Sequence, residues 1–123
     1  MENKATVFSE IYHIGRKNDL KNSECEDRLR DFIGSVGKAL SQNNTILGHI
    51  KVLARIPEPA ADAPFMALSV TKPDHVDVTP AAFGLDAKQG LELYVNVIVF
   101  GYTAQEVEAV VSAALMRTRL LRQ

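Results

Sequence analysis

The clearest pattern in the sequence is an alternation of apolar and mixed side chains over residues 91–102, LELYVNVIVFGY. The odd positions from Leu91 to Val99 are all apolar, whereas the even positions include carboxylate, amide and aromatic side chains. A period of two that is rich in β-branched and aromatic residues is typical of a strand with one buried face. We therefore predict a central strand here, with its odd face toward the core.

Two further segments, 46–56 and 65–72, alternate in the same way. They are separated by PEPAADAP at 57–64, and proline cannot donate to a sheet ladder, so this stretch predicts a connection. Residues 5–14 are ambiguous, because their apolar positions fit either a strand or a helix. The β-branched and aromatic content of that segment favours a strand.

Two segments carry the start signals of amphipathic helices. Ser23 with Glu26 and Thr103 with Glu106 are spaced as capping boxes, in which the side chain of each member bonds the backbone amide of the other. Apolar residues follow each box at helical spacing and predict one buried stripe per helix. The predicted stripes are Cys25, Leu29, Phe32, Ile33, Val36 and Leu40 in the first helix, and Val107, Val110, Val111, Ala114, Leu115 and Leu121 in the second.

These elements predict a single α+β domain over residues 1–123, in the order (β)αβββα. The simplest arrangement is an antiparallel sheet of three to four strands with both helices on one face. Residues 73–90 are predicted to be a long loop, in which HVDV at 75–78 is a candidate for a short edge strand.

This arrangement leaves one face of the sheet uncovered, with a mixture of apolar and polar side chains that is typical of an interaction surface. We predict that this face is the ligand or partner face, and that it forms a homodimer or binds another protein. Its candidate residues are His49, Lys51, Thr71, Tyr94, Asn96, Ile98 and Phe100. The alternative is a small-molecule or metal-binding protein, with enzymatic activity left open, whose site joins His49, Lys51, Thr71 and Asn96 to the 73–90 loop.

Few residues are candidates for metal binding or catalysis. Asp74, His75, Asp77 and Asp86 could ligate a divalent ion, although turn-forming Asp residues in a solvated loop explain the same pattern. Cys25 lies on an apolar helix stripe, which favours a core position over a nucleophile, despite its place near a helix N-terminus. No motif for a nucleophilic triad or a phosphate loop is present, and no cofactor is predicted.

Composition narrows the classes of protein to which the chain can belong. With 46% apolar and 24% charged residues the chain has ordinary globular composition, and a net charge of −1 gives no reason to expect nucleic-acid or membrane binding. The sequence has no apolar run long enough for a membrane span and no recognisable signal peptide. A single cysteine agrees with a reducing compartment, so we expect a cytoplasmic protein.

Three short blocks, GHIK at 48–51, LSVT at 68–71 and LYVNVIV at 93–99, occur in succession. Over residues 45–110 this succession resembles the C-terminal domain of CobW-type GTP-dependent metal chaperones, in which a His-Ile-Lys strand, a Ser-x-Thr strand and an Asn-bearing strand follow in that order. The resemblance implies an accessory domain acting beside a GTPase or metalloenzyme. It does not imply GTP hydrolysis, because the phosphate loop and the Cys-rich metal motif of the family are missing.

The resemblance selects His49, Lys51, Thr71 and Asn96 as the positions to examine. Together with the open sheet face, it leads us to expect a non-enzymatic binding or assembly module.

Overall fold

A computed structural model describes residues 4–15, 22–57, 65–79 and 90–120, without the side chains of residues 22 and 23. It contains five strands and two helices. In chain order they are β1 (Thr6–Ile14), α1 (Asn22–Ala39), β2 (Gly48–Arg55), β3 (Phe65–Lys72), β4 (His75–Thr79), β5 (Leu91–Val99) and α2 (Ala104–Arg117).

The strands form one antiparallel sheet in the order β1-β5-β2-β3-β4. The predicted α+β class and the single antiparallel sheet are confirmed. The predicted count of three to four strands is wrong, because both uncertain segments are strands. β1 pairs along the whole of β5, and the HVDV segment folds back on β3 as the edge strand β4.

One face of the sheet is buried. The odd positions of β5 are almost completely inaccessible, and they belong to the same buried cluster as the apolar stripes of both helices. Directly paired residues of neighbouring strands point to the same side, so the register places the inward residues of the other strands in the same layer. Both helices therefore cover one face, which we call the covered face.

The two helices divide the covered face between them. Gly37 of α1 lies against the side chain of Val70 in β3, and an added Cβ there would be 3.0 Å from Val70 Cγ1. Gly34 faces Val76 of β4 in the same way, at 4.0 Å. The glycines that weaken this helix intrinsically thus allow it to approach the sheet closely. α2 packs beside α1 and over β1.

The connection from α1 to β2 requires left-handed backbone. Asn43 (φ 52°) and Asn44 (φ 60°) are the central residues of a two-residue turn, whose flanking residues Gln42 and Thr45 exchange backbone hydrogen bonds of 2.6 and 3.0 Å. Gly48 (φ 139°) then starts β2, and a Cβ there would overlap the carbonyl oxygen of Ile98.

The predicted capping box of α2 is confirmed. The amide of Glu106 donates to Thr103 Oγ1 (3.1 Å), and the amide of Thr103 donates to Glu106 Oε1 (2.8 Å). The capping box predicted at Ser23 lies outside the described side chains, as does Leu121. Among the described segments, no helix is both long and apolar enough to cross a membrane.

The open face of the sheet as candidate functional site

The side of the sheet opposite the helices, which we call the open face, is organised in rows that follow the strand register. In the central row, each residue is the direct partner of the next, and every one of the five strands contributes a polar side chain. From β1 to β4, in spatial order, this polar row consists of Ser9, Asn96, Lys51, Ser69 and Asp77.

Hydrogen bonds fix the two ends of the polar row. Ser9 Oγ donates to Asn96 Oδ1 at 2.7 Å, which leaves the amide NH₂ of Asn96 as the donor on that side chain. At the other end, His75 Nε2 lies 2.9 Å from Asp77 Oδ1. Lys51 stands between them as an exposed cation.

The next row is mostly apolar. Its members are Ile11, Tyr94, Leu53, Ala67 and Thr79. Beyond it, Glu92 is partly buried and is flanked by His13 (Nδ1 to Oε2, 3.8 Å) and Arg55 (Nε to Oε1, 3.7 Å). On the opposite side of the polar row, Ile98 lies between Val7 of β1 and His49 of β2.

A concavity of about 500 Å³ occupies the β2–β4 part of the open face. It runs along β3, because Ala67 and Ser69 are small whereas the side chains on both neighbouring strands are longer. The structure places Lys51 and Asn96 of the predicted site at this concavity, together with Ser69 and Asp77. His49 and Thr71 do not line it.

The other predicted positions lie elsewhere on the open face or beside it. Tyr94 and Ile98 are partners of β1 residues, so they belong to the β1–β5 half of the face. Phe100 follows the end of β5, is 38% exposed, and its amide donates to the carbonyl oxygen of Leu47 (3.0 Å).

Sequence reasoning missed the contribution of β1. Val7 and Ile11 are 66% and 48% exposed and lie on the open face beside Ile98 and Tyr94. The alternation in residues 5–14 was the available signal and favoured a strand, but the sequence did not show where that strand lies in the sheet.

The acidic loop residues are placed only in part. His75 and Asp77 contact each other, Asp74 is exposed in the turn before β4, and Asp86 lies outside the described residues. Within the part of the chain that the structure describes, no group of three His, Cys, Asp or Glu side chains could hold a metal ion. A metal site that includes Asp74, His75 and Asp77 stays a prediction.

Cys25 is fully buried in the core, and this burial raises the pKa of its thiol to about 11. The nearby Arg28 charge opposes that rise without cancelling it. A thiol with this pKa carries very little thiolate near neutral pH, so the core interpretation of Cys25 is confirmed.

Comparisons with known proteins return no match to any family model, any curated protein or any solved structure. The resemblance to the CobW C-terminal domain therefore stays a prediction.

Proposed function

We propose that the protein is a non-enzymatic binding and assembly module that forms a homodimer through its open face. One observation carries the proposal: two helices bury one face of the sheet, while the opposite face presents Val7, Ile11 and Phe65 with 66%, 48% and 50% of their surface exposed. Apolar side chains grouped on one surface with a polar surround are typical of interaction sites.

The size of the open face suits a second copy of the chain. Five strands about 4.8 Å apart and about eight residues long cover roughly 600 Å². Two such faces stacked on each other would bury about 1,200 Å² in total, which reaches the range of specific protein interfaces.

The charge of the open face also favours self-association. Two cations, Lys51 and Arg55, are balanced by two carboxylates, Asp77 and Glu92, so one copy does not repel another. A two-fold arrangement brings the same patch of both copies together, and a patch with both signs can pair with itself.

The β1–β5 half is the best centre for this interface, because its apolar side chains are adjacent. Val7 lies beside Ile98, and Ile11 lies beside Tyr94. Well-packed interfaces concentrate aromatic and aliphatic groups at the centre and polar groups at the rim.

Light scattering across a concentration series tests the proposal. We expect wild-type protein to dimerise, and Ile11→Glu and Ile98→Glu to be monomers that keep the wild-type circular dichroism spectrum. Met116→Glu is the matched control, because Met116 is an exposed apolar residue on α2 and should leave the dimer intact. A wild-type monomer at every concentration, or a dimer broken only by Met116→Glu, would contradict the proposal.

A second candidate function is small-molecule binding, and the concavity along β3 favours it. A role beside a GTPase or metalloenzyme rests on the CobW resemblance alone. Co-purification from a lysate, followed by direct binding to the identified partner, would test that role.

A further inference from the structure

The concavity along β3 has walls of opposite charge. Lys51 of β2 and Asp77 of β4 are both direct partners of Ser69, so they face each other across it, about 10 Å apart between Cα atoms at two strand spacings. In the described part of the chain, no ion pair joins them. The walls consist of Lys51 and Leu53 on one side and Asp77 and Thr79 on the other.

We propose that this concavity binds a small zwitterion, namely a free α-amino acid with an apolar side chain. A simple anion would meet Lys51 but lie near the Asp77 carboxylate, and a simple cation would have the reverse conflict. A zwitterion satisfies both walls at once. The inference extends the second candidate function and does not rest on the proposed dimer. Full stacking of two open faces would cover the concavity, so the ligand enters the monomer or a dimer whose contact is confined to the β1–β5 half.

The polar row supplies a partner for each charged group of such a ligand. The ligand carboxylate accepts from the Lys51 ammonium and from the NH₂ of Asn96, whose Oδ1 is already engaged by Ser9. The ligand ammonium donates to Asp77, whose Oδ1 is held by His75, so Oδ2 remains as its acceptor. The Ser69 hydroxyl lies between the two charges.

The row beside it supplies the apolar part of the site. Ala67 forms the floor next to Ser69, and Leu53 and Thr79 flank it on the two neighbouring strands. Phe65 follows on the same face of β3 and is half exposed. An aliphatic side chain laid over Ala67 would lie between Leu53 and Thr79. The volume of about 500 Å³ falls in the range of small-molecule sites.

Leucine and two singly charged analogues make the test specific. We expect leucine at neutral pH to shift the amide NMR signals of β2, β3 and β4 in a saturable titration. Both 4-methylpentanoate, which lacks the amine, and 3-methylbutylamine, which lacks the carboxylate, should bind at least about tenfold more weakly, a factor that corresponds to 1.4 kcal/mol. Equal binding of all three, or no shifts with leucine at tens of millimolar, would overturn the proposal.

Three variants assign the contacts. Lys51→Gln should weaken leucine binding about tenfold and strengthen binding of 3-methylbutylamine, because it removes the cation that repels this amine. Asp77→Asn should also weaken leucine binding about tenfold and should strengthen binding of 4-methylpentanoate, because it removes the carboxylate that repels this anion. Ala67→Phe should abolish leucine binding by filling the floor without changing any charge. Lys72→Gln and Asp74→Asn change the same charges just outside the concavity and should have no effect.

The dispersion of the NMR spectrum shows whether each variant is folded. If folded Ala67→Phe still binds leucine as wild type does, the site lies elsewhere and the proposal fails. A monomeric wild-type protein that binds leucine would contradict only the proposed dimer.

Discussion

Adjacent residues of β5 lie in opposite environments. Val95 is inaccessible to solvent and is surrounded by apolar side chains from the sheet and the helices, whereas Asn96 is exposed and belongs to a polar row that crosses all five strands. No polar or charged residue in the described segments is buried. The covered face therefore supplies stability, and the open face can vary its side chains without a large cost in folding free energy.

Placing the same charge at two adjacent positions should give the largest difference between the faces. Val95→Asp buries a carboxylate with no cation beside it in the core, so we expect the free energy of unfolding to fall by about 4 kcal/mol or more, enough to unfold a marginal domain. Asn96→Asp keeps an oxygen for Ser9 and lies beside Lys51, so we expect a change within about 0.5 kcal/mol. Urea denaturation followed by circular dichroism measures both, and similar losses would show that the open face is buried after all.

Removing the same side chain from both faces should give a smaller contrast. Leu93 is completely buried, and Leu93→Ala should cost about 2–5 kcal/mol through lost burial and a residual cavity. Leu53 is only half buried on the open face, so Leu53→Ala should cost about 1 kcal/mol.

Protein concentration makes this contrast informative about assembly. If a second copy covers Leu53, the loss in Leu53→Ala should increase at concentrations where the wild-type protein is dimeric, because the dimer is stabilised by mass action. The loss in Leu93→Ala should stay constant.

Alkaline pH should lower the free energy of unfolding through groups buried on the covered face. Because burial raises the pKa of Cys25 from 9.0 to about 11, the unfolded thiol ionises first as pH rises. The contribution of the Cys25 thiol to the free energy of unfolding is thus fully present below pH 9 and is lost as the pH rises through 11. The loss is roughly 2–3 kcal/mol for a shift of this size. Urea denaturation between pH 8 and 11 measures the loss. Tyr12, whose pKa is raised by burial and by Glu10 and Glu108, adds a loss in the same direction above pH 10.

Cys25→Ala isolates the thiol, because it removes the Cys25 contribution and leaves that of Tyr12. An unchanged pH profile in Cys25→Ala would show that the thiol does not contribute. In the native state a thiol reagent should modify Cys25 only as fast as the protein opens, whereas the thiol introduced by Met116→Cys, which lies outside the proposed interface, should react immediately.

Sequence pattern predicted the covered face well and the open face only in part. The odd positions of β5 and the stripes of both helices were readable because burial imposes a strict period on apolar residues. Val7 and Ile11 were not assigned to the open face because the sequence, although it favoured a strand over residues 5–14, did not show that this strand pairs with β5.

The polar row could not be predicted because it is set by pairing between distant strands. Lys51 and Asn96 were predicted to share the open face, and the structure makes them direct partners on β2 and β5. Ser69 joins the row through the pairing of β3 with β2, and Asp77 joins it only because β4 folds back on β3 with a shift in register near Val70 and Lys72. No local signal in the sequence specifies that register.

Removing a single hydroxyl, either at the N-cap of α2 or on the open face, should give the smallest contrast. Thr103→Ala removes the oxygen that accepts from the Glu106 amide and exposes an unpaired donor at the start of α2, so we expect a loss of about 1 kcal/mol. Ser9→Ala also removes one hydrogen bond, but its partner Asn96 is exposed and water replaces the hydroxyl, so the loss should be at most about 0.5 kcal/mol. Thermal unfolding of both variants decides the order. A larger loss in Ser9→Ala would mean that the polar row contributes to folding as well as to binding, and that the open face is preorganised rather than freely variable.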